Sequence, residues 1–138
     1  MTTEATFEGG CLCTAVRWRA SCAPTRVVHC HCEMCRRSSG AAFITAAAFP
    51  LAAVQWERGE PTWYQSSPEA SRGFCARCGS WLSWRRGEEI WLTVGTFDHP
   101  EAVVPQEHHM VDAQLSWVRQ LEDGLPRHAG LQREPAAS

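Results

Sequence analysis

Three cysteine clusters constrain this chain more than any other feature. Cys11-Leu12-Cys13 is a CxC. Cys30-His31-Cys32-Glu33-Met34-Cys35 is a CxCxxC. Cys75-Ala76-Arg77-Cys78-Gly79 is a CxxC followed by glycine, and Cys22 stands alone. Clusters of this kind serve either a disulfide framework in an oxidising compartment or a metal or redox site in a reducing one. The opening residues, MTTEATFEGG, show no basic segment followed by an apolar one, so they do not read as a secretion signal. The expected location is therefore the cytoplasm, and the expected use of the thiols is metal binding.

Spacing says how such thiols can share an ion. Two thiolates two residues apart bend around one metal at about 2.3 Å each, and Gly79 just beyond Cys78 permits the positive φ that a tight knuckle needs. A CxC in a flat strand would send its thiols to opposite faces, so Cys11 and Cys13 must lie in a turn. Gly9 and Gly10 are expected to supply its freedom. Two ligands from the CxC and two from the CxxC make a closed Cys₄ structural zinc site. Cys30, Cys32 and Cys35 are then left with three ligands and one open position, the arrangement of a zinc that does chemistry. Other pairings of the clusters remain open on spacing alone. His29 or His31 could complete a Cys₃His site, although a strand would turn both away from Cys30 and Cys32. The spacings do not match ferredoxin runs, and no strand–helix setting makes the CxxC a thioredoxin-like pair. Cys22 reads as a small buried hydrophobe.

Arg36 and Arg37 follow the central cluster. They either offset the charge of a tris-thiolate metal or bind an anionic ligand, the plain alternative being a solvated surface pair. Ser38, Ser39 and Gly40 read as a turn. All 13 basic residues are Arg, so no lysine is present to form a Schiff base. With a formal net charge of −2 and scattered arginines, the chain lacks a basic stripe for nucleic acid. It also has no apolar run of eighteen residues to span a membrane.

Alternation predicts short strands at 14–20, 27–31, 42–49, 54–58 and 62–65, and a hairpin of 81–86 with 89–95 turning at Gly87-Glu88. Leu115, Val118 and Leu121 predict a short helix over 112–122. The seven tryptophans are expected mostly in the core. Residues 129–138, AGLQREPAAS, read as a frayed tail, leaving 1–128 as one domain. The fold class is mainly β, and no feature sets an oligomeric state.

The chain resembles the glutathione-dependent formaldehyde-activating enzyme family, whose domain also occurs in centromere protein V. The resemblance is carried by GGCLCTAVRW at 9–18, CHCEMCRRSSG at 30–40, SSPEASRGFCARCGSWLSW at 66–84, GTFDHPE at 95–101 and PQEH at 105–108. It implies a single zinc-binding β-tent domain with two zinc ions. Cys11, Cys13, Cys75 and Cys78 would hold a structural zinc, and Cys30, Cys32 and Cys35 a reactive one. The implied activity is that of a carbon–sulfur lyase acting on a small-molecule thiol, glutathione, and an aldehyde, formaldehyde. The alternative is a zinc-stapled binding module without catalysis. Thr14 stands where the family usually has glycine, and the chain is shorter than the named formaldehyde-activating enzyme. His108 is a candidate proton donor near the zinc or an ordinary histidine. Asp98 is expected to cap the turn before Pro100, and Arg72 to brace the CxxC knuckle.

Overall fold

The computed structural model describes residues 6–122 and 124–129. Of the expected tail, residues 130–138 lie outside the described residues. The fold is mainly β, in two sheets. A three-stranded antiparallel sheet runs β1 (Phe7–Gly10), β2 (Arg17–Ala20) and β5 (Val54–Arg58) in that order. A seven-stranded sheet is ordered β10 (Glu107–His109), β3 (Arg26–Cys30), β4 (Ile44–Pro50), β9 (Glu89–Thr93), β8 (Trp81–Arg86), β7 (Ala70–Phe74) and β6 (Thr62–Gln65). Only the β10–β3 pair is parallel. One α-helix, α1 (Glu33–Ser39), follows β3 almost directly.

The period of two along each strand decides what lies on each side of the large sheet. Val27, Ala47, Phe49, Leu82, Ile90 and Leu92 turn to one face and pack with Trp18 and Ala20 of the small sheet, and with Val16 of the turn before it, in the main core. Trp18 meets Phe97 edge-on at 4.7 Å. Val28, Ala46, Ala48 and Trp91 turn to the other face and form a second cluster with Ile44 and Trp84. With both faces covered, the alanines of β4 fit a buried central strand, although they weaken a strand reading based on propensity.

Several boundaries differ from the sequence reading. The expected strand at 14–20 begins only at Arg17, because residues 12–16 form the cysteine turn. The expected helix over 112–122 is replaced by two 3₁₀ turns, Val111–Ala113 and Ser116–Gln120. A spacing of three residues suits a 3₁₀ turn at least as well as an α-helix. The serines read as a plain turn belong to α1, which ends at Gly40 with φ 73°. Most tryptophans lie in or against the core, as expected: Trp18 and Trp91 are buried and Trp56, Trp63 and Trp84 pack against the two clusters, while Trp117 is exposed. Trp81, Trp84 and Trp91 also line a cavity. Among the described residues no helix is long and apolar enough to cross a membrane.

Candidate metal centres and cavity

The first cysteine cluster joins the two sheets. Cys11 and Cys13 follow β1, and Cys75 and Cys78 follow β7. The Cys13 sulfur lies 3.7 Å from both Cys11 Sγ and Cys75 Sγ, and all four sulfurs lie within 4.8 Å of one another. A tetrahedral zinc with bonds of about 2.3 Å needs sulfurs about 3.8 Å apart, so this donor set fits such an ion with little movement. Amides already point at the sulfurs: Val16 N–H donates to Cys11 Sγ at 3.2 Å and Cys78 N–H to Cys75 Sγ at 3.4 Å. The Ser80 hydroxyl at 3.2 Å from Cys78 Sγ, with nearby backbone donors, brings that thiol down to about 5.

The turn takes its freedom from an unexpected residue. Gly9 and Gly10 lie in β1 without positive φ, and Thr14 adopts φ 67°. Gly9 is required by close approach instead. A Cβ there would stand 2.4 Å from the Trp18 ring and 2.2 Å from the Thr96 carbonyl oxygen. Gly79, by contrast, takes φ 81° as the CxxC spacing predicts.

The second cluster forms where β3 passes into α1. Cys30 is the last residue of β3 and Cys32 caps α1, its sulfur accepting from Cys35 N–H at 3.2 Å. The three thiols form a hydrogen-bonded chain, Cys32 to Cys35 at 2.9 Å and Cys35 to Cys30 at 3.4 Å. Donation from Cys35 holds Cys30 down at about 5, and the same bond together with burial pushes Cys35 up. All three sulfurs lie within 4.8 Å of one another. To share a zinc, Cys32 and Cys35 need only part by somewhat under an ångström, so these donors also fit the ion. Cys22 joins neither cluster; partly buried, it packs against the main core. All eight cysteines are free.

Cys30, Cys32 and Cys35 open onto a cavity of about 720 Å³ on the outer face of the large sheet. Its wall is read off the alternation: Arg26 and Val28 precede Cys30 at every second residue of β3, Ile44 and Ala46 come from β4, and Glu89, Trp91 and Thr93 from β9. Trp84, Arg86 and Trp81 of β8 and Arg72 of β7 close one side, and His109 the other. Arg26 lies over the Trp91 ring at 5.4 Å, and Trp91 Nε1 donates to Glu89 at 2.8 Å. The four-cysteine cluster does not line this cavity.

Register also sorts the histidines. His108 pairs with His29, and His109 with Cys30, across the parallel strands. His108 therefore sits away from the cavity, its Nδ1 2.9 Å from Nε2 of the buried His31, and these rings stack. His29 bonds Thr45 at 2.7 Å on that same side. Neither His29 nor His31 completes the three-cysteine cluster. His109, which the sequence reading passed over, lines the cavity with its Nε2 2.7 Å from Glu107.

The structure does not bring Arg36 into the cavity. It lines a smaller recess with Glu33, Arg37, Gly40 and Ala41, and its Nε is buried without a partner. Arg37 pairs with Glu33 at 2.9 Å on the exposed side of α1, as a solvated surface pair does. Asp98 does not cap a turn; it pairs with Arg17 through two hydrogen bonds, at 2.9 and 2.5 Å. Arg72 does not brace the CxxC knuckle but meets Cys35, with Nη1 3.9 Å from its sulfur. A strand reading of β7 could have found it, because Arg72 takes the same face as Ala70, which is buried.

Residues 6–113 match the family described as glutathione-dependent formaldehyde-activating enzyme, and the chain belongs to that family. It is 34% identical over 76 residues to a Schizosaccharomyces pombe protein named an uncharacterized lyase, a match covering 55% of each chain. The chain thus spans about half the length of that curated relative. A crystal structure of a Rhodobacter sphaeroides protein superposes with TM-score 0.59 at 26% identity, covering 73% of this chain and 98% of the other.

Proposed function

We propose that the protein is a zinc-dependent, carbon–sulfur lyase-type enzyme that adds a thiol, glutathione in the first instance, to a small aldehyde such as formaldehyde. The observation that carries this reading is the contrast between the two clusters. Four cysteines close on one another away from the cavity, whereas three share a cavity wall with room for a ligand beside them. The volume of about 720 Å³ lies in the range of small-molecule sites. A zinc bound by Cys30, Cys32 and Cys35 would offer an open position and lower the pKa of a thiol that took it. The zinc at Cys11, Cys13, Cys75 and Cys78 would be structural.

The chain's own residues supply the rest. Arg26 and Arg86 on the cavity wall offer guanidinium groups to the carboxylates of a glutathione-like thiol. Trp81, Trp84 and Trp91 cover the ligand and exclude water. His109, oriented by Glu107, takes the proton from the thiol and returns it to the aldehyde oxygen. The carbon–sulfur bond forms as the carbonyl π pair moves to oxygen, and the thiol proton ends there. Holding two small reactants together supplies much of the acceleration. Eight free cysteines suit a reducing compartment, so the same reading places the protein in the cytoplasm.

The test is exchange NMR of glutathione with formaldehyde, comparing the rate of adduct formation with and without zinc-loaded protein. Acceleration abolished by Cys32→Ser supports the reading. No acceleration by intact, zinc-loaded protein leaves a stapled binding module in its place.

A further inference from the structure

Arg72 is a buried cation with no carboxylate partner among the described residues. It sits in the middle of β7, only 7% exposed, and faces the cavity with Cys30, Cys32 and Cys35. A guanidinium has five donors and keeps its charge in any protein, so burial is costly unless anions or acceptors meet it. Among the described residues no carboxylate pairs with Arg72. Arg17, Arg37, Arg86 and Arg127, which do pair with carboxylates, are all more exposed. The contacts of Arg72 are Cys35 Sγ, 3.9 Å from Nη1, and the Trp81 ring at 5.2 Å. Its Nε is buried with no partner at all. The β7 ladder needs only backbone groups here, and an apolar side chain would fill the position without this cost. The charge is matched to what the cavity receives.

We propose that Arg72 is a catalytic residue whose guanidinium receives the anionic oxygen of the ligand at the three-cysteine centre. Its catalytic part rests on the thiol-addition reading; its anion-receiving part does not. As the thiol sulfur bonds to the carbonyl carbon, the π pair of the C=O bond passes to oxygen. Arg72 donates hydrogen bonds to that alkoxide, and the proton released by the thiol reaches it through His109. Arg72 itself keeps its protons. The same cation offsets the thiolates of the centre, so it is in place before the reaction charge develops.

Two small thiols test this. Thioglycolate carries a carboxylate one carbon from its sulfur, and 2-mercaptoethanol carries a neutral hydroxyl at a similar reach. Their dissociation constants are read on zinc-loaded protein by quenching of tryptophan fluorescence, since Trp81, Trp84 and Trp91 line the cavity. The ratio of the two constants is compared between wild type and Arg72→Gln, so that differences in thiol acidity cancel. The expected result is a shift of about tenfold against thioglycolate in Arg72→Gln, the scale of one charge-assisted hydrogen bond. Arg72→Lys should recover part of it, keeping the charge without the fork. Adduct formation should fall about 10²-fold in Arg72→Gln, as for loss of one oxyanion donor. An unchanged ratio in Arg72→Gln overturns the proposal. If that variant does not fold, Arg72→Lys is read in its place, and a ratio unchanged from wild type overturns the proposal. A shifted ratio in a protein that never accelerates adduct formation keeps Arg72 as the anion receiver and removes the thiol-addition reading.

Discussion

Cys13 and Cys75 are 62 residues apart in sequence, yet their sulfurs stand 3.7 Å apart. One follows a strand of the small sheet and the other a strand of the large sheet, so the cluster they share is a clasp between the two. Its closure by metal would make the binding energy part of the folding energy.

Cys75→Ser should therefore act on stability. The buried Cys75 would be replaced by a hydroxyl that binds zinc poorly in place of a thiolate. The expected loss is about 3 kcal/mol or more, a fall in Tm of about 10 °C for a domain of this size. Scanning calorimetry and metal analysis check it, with the structural ion lost in the variant.

Cys32→Ser should act on activity instead. Serine is among the best N-caps, so the α1 cap survives while the thiolate is lost. Stability should change by less than about 1 kcal/mol, and adduct formation should disappear. Cys32→Ala removes the cap as well and should cost about a further 1 kcal/mol. Urea denaturation of both variants, set against their turnover, separates the two roles.

Thr14→Gly should stabilise the protein. Thr14 holds φ 67°, where a β-branched side chain is strained by about 1–2 kcal/mol. Glycine removes that strain but loses more entropy on folding, leaving a net gain of about 0.5–1 kcal/mol. The measured Tm should rise by about 2–3 °C. Gly79→Ala, at φ 81° with open space around it, should change stability in the opposite sense.

Asp98→Asn should destabilise the protein in a pH-dependent way. The Arg17 guanidinium, hydrogen-bonded to both oxygens, holds the Asp98 carboxyl below its usual range. A depressed acid stabilises the fold above its unfolded value of about 3.9, and that stabilisation disappears as pH falls through the lower folded value. The pair is partly exposed, so it contributes only about 0.5 kcal/mol. Denaturation curves for wild type and variant should differ equally at pH 7 and pH 5, and begin to converge below about pH 4.

What the sequence made legible followed from local chemistry. Ligand spacing reports on neighbours in the chain, so the CxxC knuckle with Gly79 and the three-thiol cluster were readable without the fold. The strands Val54–Arg58, Thr62–Gln65 and Trp81–Arg86 fell where alternation placed them. Helix α1 escaped because its seven residues, EMCRRSS, include one buried side chain and so no apolar period. Strand β10 escaped because three residues cannot show alternation. His109 was hidden because it reaches the cavity through strand pairing, which local pattern does not encode. A strand period could place Arg72 on a buried face, but not against Cys35, which lies 37 residues away in sequence. His108 was singled out in place of His109, one residue away, and in a strand one residue is the opposite face.

Zinc per chain, measured before and after washing with glutathione, tests the central claim most directly. The account predicts two zinc ions per chain, one retained throughout and one made labile or lost in the presence of glutathione. The labile ion should be absent from Cys32→Ser, and the retained one absent from Cys75→Ser. Two ions that both survive the wash unchanged would contradict an open, thiol-handling centre at Cys30, Cys32 and Cys35.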